Sequence, residues 1–89
     1  MRAVITVIGK DRKGIIAGVS TELANADINI LDISQTTMAE YFAMIMLVDM
    51  TDAREAFLEI RNKLNRKGRE LGVQVKIQGE DIFNAMHQI

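Results

Sequence analysis

Apolar positions change their period repeatedly along the chain, and each change marks an element boundary. Residues 2–8 (RAVITVI) are β-branched and almost continuously apolar up to Gly9, the pattern of a strand buried on both faces. The polar segment GKDRKG (9–14) reads as a loop. From Ile15 the apolar residues fall at 15, 16, 19, 23 and 26, a helical spacing that Asn25 and Asp27 bring to an end. DINILDIS (27–34) is strand-like again, but its alternation slips near Leu31, which predicts a bulge on an edge strand. MAE (38–40) is short enough for a hairpin turn, and YFAMIMLVDM (41–50) is a second near-continuous apolar strand. Asp52 followed by Glu55 resembles a capping box, so a long helix is expected from there. It would place Ala53, Phe57, Ile60, Leu64 and Leu71 on one stripe and close at Gly72. VQVKIQG (73–79) alternates cleanly as a half-exposed strand. The tail 80–89 predicts a short helix with Ile82, Phe83, Met86 and Ile89 on one side.

The resulting order, βαββαβ plus a tail, predicts an α+β ferredoxin-like sandwich: a four-stranded antiparallel sheet with two helices on one face. In that topology the first and third strands are central, and those are the two continuous apolar strands here. A single domain over residues 1–79 and a C-terminal tail over 80–89 follow, because no proline, linker or charge block marks another boundary.

The fold leaves one sheet face without helices. Strand 41–50 nevertheless carries apolar residues in both registers: Phe42, Met44, Met46 and Val48 in one, Tyr41, Ala43, Ile45 and Leu47 in the other. Several apolar side chains are therefore expected on the open face, each worth about 1.5–3 kcal/mol if buried. A patch of this kind marks an interface. Self-association as a homodimer or higher oligomer, with the tail contributing, is the expectation.

Composition narrows the function. The chain has 89 residues, 48% hydrophobic and 26% charged, and a domain this small gains from extra burial. There is no cysteine and a single histidine, His87, so disulfides and cysteine-based zinc sites are excluded, and no metal or other cofactor is expected. A net charge of −1 lacks the basic excess of a dedicated nucleic-acid binder. The first apolar run is too short for a signal-peptide core, and no run is long enough to span a membrane. A cytoplasmic protein without membrane or nucleic-acid partners is expected.

The loop 9–16, GKDRKGII, sits between a strand and a helix N-terminus, where unpaired N–H groups and the helix dipole favour an anion such as a carboxylate. Asp11 as a helix cap, with Arg12 and Lys13 solvated, is the local alternative. Asp11-Arg12-Lys13-Gly14-Ile15-Ile16 opening the first helix, together with Asn29-Ile30-Leu31-Asp32-Ile33 in the second strand, resembles the ACT domain. The likeness covers nearly the whole chain and is similar to the ACT modules of the glycine-cleavage-system transcriptional repressor. The resemblance implies a non-catalytic regulatory domain that binds amino acids or similar small ligands at subunit interfaces. It implies loop-side ligand contacts at Asp11, Arg12, Gly14, Ile15 and Ile16, and strand-side contacts at Asn29 and Ile30 supplied by a neighbouring subunit. Asp11 would hold an ammonium group, and the N–H groups near Gly14 a carboxylate. Where many members have glycine, this chain has Asp27.

Three other functions share parts of this pattern. Acyl-phosphate hydrolysis uses the same fold, but the Gly-rich, aromatic-flanked loop it needs is absent and His87 lies in the tail. RNA-recognition modules share βαββαβ but read bases with aromatics on central strands, where this chain has Met, Ile and Val. A ligand-free module that dimerises and modulates a partner protein needs the same fold and interface, and the sequence does not separate it from a ligand-binding one.

Overall fold

The computed structural model describes residues 1–87. β1 runs Arg2–Lys10, α1 Ile15–Asn25, β2 Asn29–Met38, β3 Tyr41–Asp49, α2 Phe57–Leu71, β4 Val73–Gly79 and α3 Glu80–Met86. The strands order β2-β3-β1-β4 and every pairing is antiparallel. This is the ferredoxin-like arrangement, with the two apolar strands central. The tail residues Gln88 and Ile89, including the Ile89 placed in its apolar stripe, lie outside the described residues.

α1 and α2 cover one face. Ile15, Val19 and Leu23 of α1, with Ile60 and Leu64 of α2, share a core cluster with Ala3, Ile5 and Val7 of β1 and Phe42, Met44, Met46 and Val48 of β3. Alternation along β3 therefore selects the Phe42 register for the helices and leaves Tyr41, Ala43, Ile45 and Leu47 on the open face. β4 adds Val73, Val75 and Ile77 to the core and presents Gln74, Lys76 and Gln78 opposite.

The slip in β2 is a register shift between Ile30 and Asp32, a bulge at Leu31. Asp27 adopts φ 57°, the left-handed turn that glycine would take more cheaply, and its carboxylate meets the Arg54 guanidinium. Gly9 does not begin a loop. β1 continues through it to Lys10, and a Cβ on Gly9 would stand 2.7 Å from Val73 Cγ1, so the small residue admits β4.

The start of α2 corrects the sequence expectation. Asp52 does not cap it; the helix begins at Phe57, with Ala56 at the cap position and no side-chain cap bond. Tertiary ties hold the preceding segment out of the helix. The Arg54 N–H donates to the Ala26 carbonyl, and Glu55 pairs with Lys63 instead of turning back toward Asp52. Ala53 still packs against the core from this non-helical segment.

α3 crosses the open face over β1 and β4, its first turn fixed by two hydrogen bonds from Arg2 to Glu80 at 2.9 and 2.7 Å. Phe83 and Met86 face the sheet, whereas Ile82 points away beside Met1 and Arg2 and is exposed, which corrects its place in the predicted stripe. Among the described residues no helix covers the β2–β3 half of the face. Ile45 is 48% exposed, Tyr41 52% and Met38 73%.

Candidate functional site

The loop after β1 is anchored before it turns. The Asp11 N–H donates to the Glu40 carbonyl at 2.7 Å, joining the loop to the tip of the β2–β3 hairpin. The chain then turns at Gly14 (φ 90°), a conformation glycine adopts without a Cβ penalty, and enters α1. The first intrahelical bond here runs from the Gly18 N–H to the Gly14 carbonyl, 2.8 Å, and no side chain caps the helix. Asp11 is therefore not a cap. Its side chain is exposed, and the N–H groups of residues 15–17 belong to the first turn, which has no intrahelical acceptors.

The other loop-side candidates divide. Ile15 is buried in the core, so only its backbone faces the loop, while Ile16 is exposed. Arg12 reaches toward α2: a Cβ on Gly72 would lie 3.4 Å from Arg12 Nη1. Its guanidinium thus sits at the C-terminal end of α2, where the helix dipole favours a cation. That position supports the fold and draws Arg12 from the start of α1.

The strand-side candidates are far from the loop. Asn29 is level with Asp49, which is level with Arg2 at the beginning of β1, whereas Asp11 follows Lys10 at its end. Eight strand residues separate the two levels, a distance of about 25 Å. Within one chain, Asp11, Gly14, Ile15 and Ile16 gather at one end of the sheet, and Asn29 and Ile30 lie at the other. Asn29 is exposed and lines a shallow depression of about 400 Å3 with Asp27, Ile28 and Asp52, while Ile30 packs on the core.

Beside Asn29, the Asp49 carboxylate accepts from the Thr51 hydroxyl at 2.6 Å and the Thr51 N–H at 3.0 Å. These bonds, the hydroxyl first, hold its pKa below the ordinary value of 3.8. Glu55 is likewise lowered, chiefly by its hydrogen bond from Lys63. Among the described residues no group of three His, Cys, Asp or Glu is placed to hold a metal ion, and no helix is long and apolar enough to cross a membrane.

A cleft of about 310 Å3 opens between α3 and the β1–β4 half of the open face. Sequence reasoning missed it. The alternation in 73–79 assigned Gln74, Lys76 and Gln78 to solvent, and only the path of α3 turns them into the floor of a cavity.

Comparison with known proteins places this geometry. The sequence profile of the ACT domain matches residues 2–78. A UPF0237 protein of Clostridium acetobutylicum is 57% identical over 89 residues, the full length of both chains. Among solved structures, an ACT domain protein from Streptococcus pneumoniae superposes with a TM-score of 0.82 at 46% identity, covering 98% of each chain. The regulatory subunit of aspartate kinase from Thermus thermophilus, in a ligand-free form, superposes with a TM-score of 0.68 at 25% identity, over 89% of this chain and 51% of that one.

Proposed function

Because the chain belongs to the ACT domain family, whose members are generally regulatory ligand-binding modules, we propose that it is a non-catalytic sensor of an amino-acid-like ligand, held between subunits of a homo-oligomer. The observation that carries this reading is the separation of the two halves of the candidate site. Asp11 and the uncapped start of α1 offer an anion for an ammonium group and N–H donors for a carboxylate, but Asn29 is about 25 Å away in the same chain.

A second copy resolves that separation. β2 is an edge strand ten residues long, with no strand of the described residues paired on its outer side. Antiparallel pairing of two β2 edges sets the Asn29 end of one copy beside the Met38 end of the other, the end that carries the hairpin tip and the Asp11 loop. Asn29 of the partner subunit then approaches the loop and supplies an amide that both donates and accepts. The site forms only in the assembly, so ligand binding and subunit pairing reinforce each other.

A thermal-shift screen of the protein against the proteinogenic amino acids tests the reading. A ligand at 100 times its Kd adds about 2.7 kcal/mol, a rise of roughly 10 °C for a domain of this size. One clear hit, lost in both Asp11→Ala and Asn29→Ala, supports a shared site. A flat panel would instead favour a ligand-free interaction module, for which the bare apolar half-face around Ile45 is the supporting feature.

A further inference from the structure

The cleft under α3 lies apart from the Asp11 loop and from Asn29, and its chemistry differs from theirs. Its floor is mostly polar: Thr6, Gln74, Lys76 and Gln78 project from β1 and β4 beside the apolar Ile8. Its roof is flat and aromatic, because the Phe83 and His87 rings stack with centroids 4.2 Å apart. At about 310 Å3 it falls at the small end of the range for small-molecule sites, roughly 300–1,000 Å3.

The polar groups on this floor are poorly engaged. Among the described residues no carboxylate pairs with Lys76. Gln78 Nε2 donates to Met86 Sδ at 3.1 Å, and a thioether is a weak acceptor that a ligand oxygen would readily replace. His87 Nδ1 lies 2.7 Å from the Phe83 carbonyl and donates to it, which leaves Nε2 outside that bond. Among the described residues no aspartate or glutamate lines the cleft. A cation and amide donors, with no carboxylate among the described lining residues, suit a carboxylate and give an ammonium group no charged partner. The Asp11 loop has the opposite provision, a carboxylate of its own.

We propose that the cleft under α3 binds a small carboxylate that carries a flat apolar body and no amino group, with Lys76 and the Gln78 amide on the carboxylate and the Phe83–His87 stack on the body. α3 suits this role mechanically. Its first turn is fixed by the Arg2–Glu80 pair, while its far end rests on the Met86 contact and can adjust to a guest.

The experiment is a titration of the 15N-labelled chain with phenylacetate and indole-3-acetate, each matched by phenylalanine and tryptophan. The expected result is saturable shifts of the amides of residues 74–78 and 83–87 with the two acids and none there with the two amino acids. Lys76→Met weakens binding about tenfold, and Lys76→Arg restores it. Lys76 is exposed on an edge strand, so both variants fold. Asp11→Ala leaves these shifts unchanged, which separates this site from the interface site. Absence of saturable shifts at millimolar acid, equal binding by Lys76→Met, or shifts confined to residues 11–17 would each overturn the proposal.

Discussion

The Asp11 N–H and the Glu40 carbonyl are hydrogen-bonded at 2.7 Å, which ties the loop that opens α1 to the turn that joins β2 to β3. The bond joins residues 29 positions apart in the sequence, and it lets the conformation of a hairpin tip bear on the entrance to a helix. Beside it, Ala39, the first residue of the turn, sits at φ 54°.

 The left-handed region costs an alanine roughly 1–2 kcal/mol relative to glycine's freedom there.

Replacing Ala39 with glycine relieves that strain and gives part of the gain back as unfolded-state entropy. Ala39→Gly is expected to stabilise the chain by about 0.5–1 kcal/mol. A urea melt monitored by far-UV circular dichroism measures it, and a lower midpoint with unchanged slope would contradict the assignment of strain to this turn.

Gly68 faces the opposite constraint, one of space. A Cβ there would stand 2.8 Å from the Val73 carbonyl oxygen and 2.9 Å from Val75 Cγ2, so α2 lies against β4 with no room for a methyl group. Gly68→Ala is expected to cost about 2–3 kcal/mol, although alanine is the better helix former. Gly14 has open space where its Cβ would be, and its substitution is penalised only by φ 90°. Gly14→Ala should therefore cost less, about 1–2 kcal/mol. Thermal melts of both variants test the ranking, and a Gly68→Ala protein as stable as the parent would show that the two elements separate easily.

Much of this architecture was legible because burial follows strand alternation. The central places of β1 and β3, the half-exposed β4 and the bulge at Leu31 can all be read from the spacing of apolar side chains, whereas β3 is apolar in both registers and only packing selects the Phe42 one. The start of α2 was not legible. Asp52 and Glu55 have the spacing of a cap, but bonds from Arg54 to Ala26 and Asp27 and from Lys63 to Glu55 determine where they go. The site was legible only in part for the same reason. Residues 11–16 and 29–30 can be picked out as candidates, yet strand direction alone puts them at opposite ends of the sheet. The Arg12 contact beside Gly72 and the cleft over Lys76 depend on long-range placement that no local pattern encodes.

Asp49 gives the acid limb of stability a specific contributor. Its folded pKa lies below 3.8 because the Thr51 hydroxyl and N–H stabilise the carboxylate. A depressed carboxylate pKa adds stability that is fully present above the unfolded value, starts to fall as pH drops below it, and is gone once pH has passed through the folded value. Asp49→Asn should therefore be less stable than the parent at neutral pH and lose less on acidification, so that the two curves converge in acid. Denaturant melts at a series of pH values check this, and parallel curves would assign the acid sensitivity to other carboxylates.

Ile45 tests whether the open face itself joins subunits. It lies at the middle of β3, 48% exposed, between the half-buried Ala43 and Leu47 and across the bare half of the face from α3. An apolar side chain of this size contributes about 1.5–3 kcal/mol when fully buried, and its neighbours would be covered with it. Pairing of β2 edges uses backbone groups in the plane of the sheet and does not involve this side chain. Ile45→Lys should therefore lower the sedimenting mass of the assembly while the far-UV spectrum and the pairing along β2 persist. Equal masses for the two proteins would confine the assembly to the edge strand. A parent that sediments as a monomer at micromolar concentration would remove the subunit interface on which the proposed site depends.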